Sequence, residues 1–416
     1  MLNENVMENV LNRDNLQQAY KRVKANKGSA GVDGMKVEDF AEHARKHWPV
    51  IAEKLKTATY QPGAIRGIAI PKPQGGERIL GIPNVQDRVI QQAVSQVLSP
   101  IFEAEFSDHS YGYRPQRSAH DAVRAASRYV TEGKTWVVDI DISAFFDEVN
   151  HDILMAKISR KVRDKRVLKL IGSYLRVPME RDGQKIKRSQ GTPQGGPLSP
   201  LLANIYLDDL DKELESRCLS FCRYADDLAI FVSSERSGQR ILASLTEWIA
   251  KHLKLRVNPK KSGTGRPWNG KFLGFRINSD GQIKLAAASL EKLKNQVRNY
   301  WNNQTRQALE DRIKEWQQYI RGWYAYFGVC IKYPITRALE GWIRRHMRKY
   351  FWLRWHNKRG RVNALKRLKT LVWQVRKTDY SAGAWRAAKY PAMHYALNNE
   401  RLKRWGLWVP SDFVTT

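Results

Sequence analysis

The sequence predicts an α+β fold built on an antiparallel sheet, followed by an α-helical region. Short strand-like and helix-like runs alternate irregularly up to about residue 285, which suits an antiparallel sheet with helices better than a regular βαβ repeat. Tyr224-Ala225-Asp226-Asp227 lies between the apolar runs Leu219-Ser220-Phe221-Cys222 and Leu228-Ala229-Ile230-Phe231-Val232, the pattern of a hairpin with a tight turn. Beyond Leu285 the period becomes helical: Ile313, Trp316, Ile320, Trp323 and Phe327 recur at alternating steps of three and four.

Residues 1–60 read as helical. Asp14-Asn15 precedes Leu16, Ala19, Tyr20 and Val23 at helical spacing, Gly28 marks an end, and a second helix is predicted over 37–57 after a loop containing Gly31-Val32-Asp33-Gly34. Ile68-Ala69-Ile70 and Ile79-Leu80-Gly81-Ile82 read as a hairpin whose tip, with Lys72 and Arg78, is basic. A Gly/Pro-rich loop, Gln190-Gly191-Thr192-Pro193-Gln194-Gly195-Gly196-Pro197-Leu198, enters a helix with Ser199 as cap and Pro200 at its first position. Phe272-Leu273-Gly274-Phe275 reads as a strand whose glycine permits close backbone approach. In the helical region the first stripe, together with Trp342, Ile343, Met347, Tyr350 and Phe351, reads as core, leaving Lys and Arg on the opposite faces for a ligand.

Composition narrows the partners. The 416 residues suffice for about three domains, and no apolar run approaches the roughly 18 residues that span a bilayer. The N-terminus is acidic and lacks an apolar core, so neither a secretory signal nor a transit peptide is expected, and the cytoplasm is the expected compartment. Cys218, Cys222 and Cys330 make no Cys-x-x-Cys pair and read as reduced thiols, not zinc ligands. Lys and Arg number 72 against 41 Asp and Glu, a net charge of +31. Self-repulsion of that size opposes the compact state and is useful with a polyanionic partner, which points to nucleic acid. From Ala286 onward there are 27 Lys and Arg against 8 Asp and Glu, and 10 of the 14 Trp residues. Interleaved cations and aromatics suit a backbone-neutralising surface with stacking platforms. No strongly segregated amphipathic helix dominates, which argues against a membrane surface.

Chemistry concentrates on carboxylates. Asp226 and Asp227 at a tight turn repel each other unless hydrated or bound, and divalent metal is the natural neutraliser. A second strand, Trp136-Val137-Val138-Asp139-Ile140-Asp141, also ends in carboxylates. If it neighbours the hairpin, Asp141 meets Asp226 and Asp227 on two Mg²⁺ ions suited to nucleotidyl transfer. Asp139 competes for that role, but Asp141 is preferred because Phe146, five residues on, would then stand under the sugar of the nucleotide. Asp139 reads more simply as a carboxylate satisfied by an Arg or a backbone amide. Gln194 is presented on a rigid turn, where it can contact a nucleotide's sugar and base. The loop is no P-loop, since no Gly-Lys-Ser/Thr follows. Lys72 and Arg78 could clamp phosphates, with Arg114 and Lys261 as further basic candidates.

These segments, with Tyr111-Gly112-Tyr113-Arg114-Pro115 and in this order, closely resemble the reverse transcriptase/maturase encoded by bacterial group II introns. The resemblance implies a right-hand polymerase: an N-terminal extension and start of the fingers over 1–60, fingers and palm over 61–285, a helical thumb or X domain over 286–358, and a basic DNA-binding region over 359–416. It implies that Asp141, Asp226, Asp227 and the Ile142 carbonyl bind two Mg²⁺ ions, with Mn²⁺ as a substitute. Phe146 matches the gate against a ribose 2′-hydroxyl, and Lys72, Arg78, Arg114 and Gln194 match nucleotide contacts. Lys261 is a further nucleotide-binding candidate, and Leu273 and Gly274 are candidates to lie beneath the primer, with sheet packing an equal explanation of that glycine. Arg344, Arg345, Arg348 and Lys349 are the expected RNA contacts. The implied partners are group II intron RNA, an RNA template with a DNA primer, dNTPs and target DNA, and a homodimer is compatible. Many relatives carry a C-terminal HNH endonuclease with Cys pairs. This sequence shows no such pairs, so target cleavage is not expected and priming from nicked DNA or nascent strands is. The competing readings are a splicing maturase without polymerase activity, against which the intact carboxylates argue, and a related polymerase recruited to defence or repair.

Overall fold

The computed structural model describes residues 4–71, 76–302, 307–330 and 335–413. The chain divides into two compact units, one ending at Pro267 and one beginning at Trp268.

The first unit opens with helices α1 (Val6–Leu11), α2 (Arg13–Ala25) and α3 (Phe40–Lys56), then strands β1 (Ile65–Pro71) and β2 (Glu77–Ile82). Helices α4 (Val85–Glu103) and α5 (Ala119–Thr131) lead to β3 (Trp136–Asp141), and α6 (Phe145–Glu148), α7 (His151–Ser159) and α8 (Lys165–Arg176) lead to β4 (Met179–Arg181) and β5 (Gln184–Ile186). Then α9 (Ser199–Ser216) precedes β6 (Ser220–Tyr224) and β7 (Asp227–Val232), and α10 (Glu235–Trp248) precedes β8 (Gly263–Gly265). Helix α2 starts where the sequence placed it, because the Asn12 side chain accepts from the Asp14 amide at 2.9 Å and satisfies a donor the helix cannot. The β1–β2 hairpin is antiparallel from Arg66↔Ile82 to Pro71↔Glu77, and its tip, with Lys72, lies outside the described residues.

Two sheets result. One has the order β2-β1-β4-β5; the other, β6-β7-β3-β8, is antiparallel throughout. Side chains alternate between the faces of a strand, so Val138, Ile140, Leu228 and Ile230 enter the core with Leu245 of α10. Asp139, Asp141 and Asp227 share the other face. Part of that face is closed by α5: Tyr129 packs on Phe231 at 5.6 Å between centroids, and the Cys222 thiol donates to the Ala122 carbonyl. The face is thus covered from the Val137↔Phe231 pair up to the row of Asp139, and Asp141 and Asp227 lie beyond that row.

Helix α9 starts differently from the expectation. Leu198 precedes the helix without a side-chain cap bond, and Ser199 is its first residue. The Ser199 hydroxyl reaches back to the Pro193 carbonyl at 2.7 Å, so it fastens the Gly/Pro-rich loop instead of capping the helix.

The second unit begins with the hairpin β9 (Phe275–Ile277) and β10 (Ile283–Leu285), followed by α11 (Ala287–Tyr300), α12 (Leu309–Phe327) and α13 (Ile335–Arg354). Five shorter helices follow: α14 (Lys358–Arg367), α15 (Val372–Lys377), α16 (Ala384–Ala387), α17 (Pro391–Ala396) and α18 (Asn399–Arg404). The β9–β10 hairpin, expected to belong with the palm, packs against these helices: Phe275 touches Tyr326 and Phe327. Phe272–Phe275 is a tight turn and not a strand, since the two residues exchange both backbone hydrogen bonds at 2.9 Å. Trp316, Ile320, Ile343, Met347 and Tyr350 of the helical stripes share one buried core with Met393, Leu397, Leu402, Leu407 and Val409. The segment from 359 onward therefore packs into the core of α11–α13 and is no detached tail. Glu340 accepts both the amide and the hydroxyl of Ser411, and Trp316 donates its indole N–H to the Trp408 carbonyl.

Candidate active site

The Asp226-Asp227 turn is held from behind. Ala225 has a φ of 58°, and a Cβ on Gly112 would stand 2.3 Å from its amide nitrogen, so only glycine lets the 111–115 segment lie against the turn. Tyr111 donates its amide to the Arg223 carbonyl, and Arg223 donates its own to His109, which adds this segment to the edge of β6. The Arg223 guanidinium, 1% exposed, pairs with the fully buried Asp211 of α9 and donates to Asn204 Oδ1 and the Ala225 carbonyl at 3.0 Å each. Asn204 in turn donates to the Gly112 carbonyl at 2.9 Å. The sequence reading missed this network. Its signal was the seven-residue spacing of Asn204 and Asp211, which places two polar groups on one face of an apolar helix.

Asp141 and Asp227 are directly opposed in the last pair of the β3–β7 ladder, and Asp226 is the next residue in the turn. The Asp141 carbonyl accepts from Asn258, and Ser143 donates to Arg256, so the intervening Ile142 carbonyl is directed away from that segment, toward the turn. Burial raises Asp226, with Asp141 adding to the shift and Arg78 and Arg223 opposing it. Asp139 is pushed up to about 7, first by burial and then by Asp227, and among the described residues no arginine or backbone amide is seen to satisfy it as expected. Asp141 forms an ion pair with Lys261 at 3.7 Å, both side chains part-exposed. Lys261, expected at the nucleotide, is here the local counter-charge. Among the described residues no three His, Cys, Asp or Glu side chains stand gathered round one point. The donor set fits Mg²⁺, which takes hard oxygen ligands and needs only one or two carboxylates besides water and phosphate.

Beside the carboxylates lies a recess of roughly 330 Å³ lined by Arg78, Leu80, Tyr113, Phe146, Gln194 and the loop that follows. It joins residues far apart in sequence through backbone contacts. Gly81 donates to the Gln194 carbonyl at 2.8 Å, while Gly191 and Thr192 donate to Val149 and Phe146. A Cβ on Gly195 would come within 2.6 Å of the Gly81 carbonyl oxygen, which explains a glycine after Gln194. Phe146 is buried against Phe145 in an edge-on contact at 5.2 Å. Arg78, Phe146 and Gln194, expected at a nucleotide, are thus brought together.

Arg78 ties the recess to the carboxylates, since it interacts with Asp226. The sequence matches the reverse transcriptase (RNA-dependent DNA polymerase) family over residues 70–277 and the group II intron maturase-specific domain over 290–370. The chain belongs to the group II intron type of reverse transcriptase. It is 31% identical over 303 residues to Protein YkfC of Escherichia coli (strain K12), covering 63% of this chain and 80% of that protein. It is 40% identical over 197 residues to the group II intron-encoded protein LtrA of Lactococcus lactis subsp. cremoris, covering 47% of this chain and 32% of that one. A solved partial Cas6-RT-Cas1-Cas2 complex aligns with TM-score 0.39 and 26% identity over 58% of this chain and 42% of that chain. This reverse transcriptase spans most of the Escherichia coli relative's length but about a third of the Lactococcus protein's.

Two basic expectations fail on burial. Arg114 is 8% exposed, binds Glu103 at 2.8 Å and donates to the Ser107 and Ser110 carbonyls, which leaves its guanidinium nothing for a phosphate. Arg348, 4% exposed, donates to the Leu397 carbonyl and Asn399 Oδ1 and fastens α13 to the C-terminal segment. Arg344 pairs with Glu340, and Arg345 lies on the Trp385 ring at 3.7 Å. A cleft of roughly 480 Å³ in the second unit, lined by Trp342, Arg345, Arg348, Lys389 and His394, adds Lys389 and His394, which the sequence reading passed over. Leu273 and Gly274, expected at the primer, accept from Tyr326 and Ser289 of their own unit. Among the described residues no helix is long and apolar enough to cross a membrane.

Proposed function

We propose that this reverse transcriptase copies RNA into DNA by nucleotidyl transfer and binds a group II intron RNA to assist splicing and mobility. The observation that carries the first part is the recess that joins Arg78, Phe146 and Gln194 next to the opposed Asp141 and Asp227. Asp141, Asp226, Asp227 and the Ile142 carbonyl would hold two Mg²⁺ ions, with Mn²⁺ able to replace them. When bound, such ions lower the pKa of a primer 3′-hydroxyl and neutralise the departing pyrophosphate.

The chain's own residues do the rest. Arg78, together with Lys72, offers charge-assisted hydrogen bonds to the triphosphate. Phe146 cannot retreat from an added 2′-hydroxyl, because Phe145 backs it. Gln194 contacts sugar and base from a loop pinned to Gly81. Lys261, paired with Asp141 here, would be free to contact the nucleotide in a site where Asp141 holds a metal ion. Leu273 and Gly274 support the primer. Fingers and palm fall within 61–267 and the thumb within 268–358, with the β9–β10 hairpin on the thumb's side and 359–416 built onto the thumb's core and contacting target DNA. Arg344, Arg345 and Lys349 supply RNA contacts, held by Arg348, in a cytoplasmic protein for which a homodimer is compatible.

Extension of a DNA primer on an RNA template, with and without Mg²⁺, tests the polymerase. Splicing of an intron RNA with and without protein tests the maturase. A protein that splices without extending would leave only the second activity.

A further inference from the structure

In the Tyr111-Gly112-Tyr113-Arg114-Pro115 segment, the aromatic side chain of Tyr113 has no place in the scaffold. Tyr111 is buried, Gly112 lies against the catalytic turn, and Arg114 is locked onto Glu103 and two carbonyls. Tyr113 is 50% exposed and lines the recess with Arg78, Phe146 and Gln194. Its φ of 59° is left-handed, a conformation that glycine adopts freely and that costs a bulky side chain on the order of 1 kcal/mol. A large aromatic ring kept in such a backbone, yet buried in no core, has its use at the surface it lines. Its centroid lies 6.5 Å from that of Tyr224, the residue that opens the Asp226-Asp227 turn. The ring thus lines the recess beside the residue that opens the Asp226-Asp227 turn.

We propose that Tyr113 is a binding residue for the incoming deoxynucleoside triphosphate, its ring forming a second aromatic wall beside Phe146 that packs on the nucleotide's sugar and base. This role rests on the polymerase reading above. Van der Waals and stacking contact with the ring supplies the affinity, so the hydroxyl is dispensable.

The experiment is steady-state dNTP incorporation on an RNA template by wild-type protein and the Tyr113→Phe, Tyr113→Ala and Tyr113→Gly variants, with thermal melting of each. Removing an aromatic platform should raise KM for dNTP by about tenfold or more in the Ala and Gly variants, while kcat changes by less than about threefold. Tyr113→Phe should restore the wild-type KM. Glycine relieves the backbone conformation, so Tyr113→Gly should melt no lower than Tyr113→Ala and still carry the raised KM. A structural role predicts the reverse: lower melting with KM unmoved. Unchanged KM in both the Ala and Gly variants, or a loss confined to kcat, overturns the proposal while leaving the polymerase intact. Wild-type protein that extends no primer overturns the polymerase reading and this role with it.

Discussion

Gly112 and Ala225 touch through their backbones: a Cβ added to Gly112 would stand 2.3 Å from the Ala225 nitrogen. The loop that lines the nucleotide recess and the turn that presents Asp226 are therefore one mechanical unit. Gly112→Ala must push the turn aside, and a displacement of about 1 Å at a reacting centre costs on the order of 100-fold in rate. Single-turnover primer extension should show that loss with RNA binding retained, and a wild-type rate would mean that the turn tolerates the shift.

Asp211 and Arg223 form a buried ion pair behind the same turn. Asp211→Ala leaves a buried guanidinium without its counter-charge, which costs about 3–5 kcal/mol. Urea unfolding should show a large drop in midpoint. A change below about 1 kcal/mol would indicate that water reaches Arg223.

Asp87 gives the fold a pH dependence. It is 2% exposed and accepts from Tyr60, Tyr174 and the Gly63 amide, yet burial pushes its carboxyl up to about 6. The folded pKa lies above the ordinary value, so the folded state retains a proton that the unfolded chain releases. The contribution is therefore full below about pH 4 and is lost as pH rises toward 6, a fall on the order of 3 kcal/mol for a shift of about two units. Denaturation midpoints measured from pH 4 to 7.5 should show this slope in the wild type and a flatter one in Asp87→Asn.

Arg348 and Lys349 are neighbours with different tasks. Arg348 donates to Leu397 and Asn399, so Arg348→Gln should lower the melting temperature without changing the salt slope of RNA binding. Lys349 is part-exposed, and Lys349→Ala should reduce that slope by about 0.7–0.9 with melting unchanged. Filter binding over a salt series separates the two.

The carboxylate pair, Gln194 and the basic hairpin were legible because local features announce them: adjacent charges at a turn, a polar residue between glycines, cations at a strand end. Arg114 and Arg348 were not, since a cation's burial depends on partners such as Glu103 and Leu397 that no local pattern reveals. Ser199 looked like a cap because Ser followed by Pro starts many helices, but the Pro193 carbonyl competed for its hydroxyl. Tyr113 was passed over because its left-handed backbone leaves no mark on the sequence. The joining of the segment after 359 to the core of α11–α13 was hidden by its charge, which masks the apolar residues that pack there, such as Met393, Leu397, Leu402 and Val409.

The central claim is that Asp226 belongs to a working polymerase centre. The most direct test is Mg²⁺-dependent extension of a DNA primer on an RNA template by wild-type protein and Asp226→Ala, with RNA affinity measured in parallel. The account predicts synthesis by the wild type, none above background by Asp226→Ala, and the same RNA affinity for both. Continued synthesis by Asp226→Ala would contradict it.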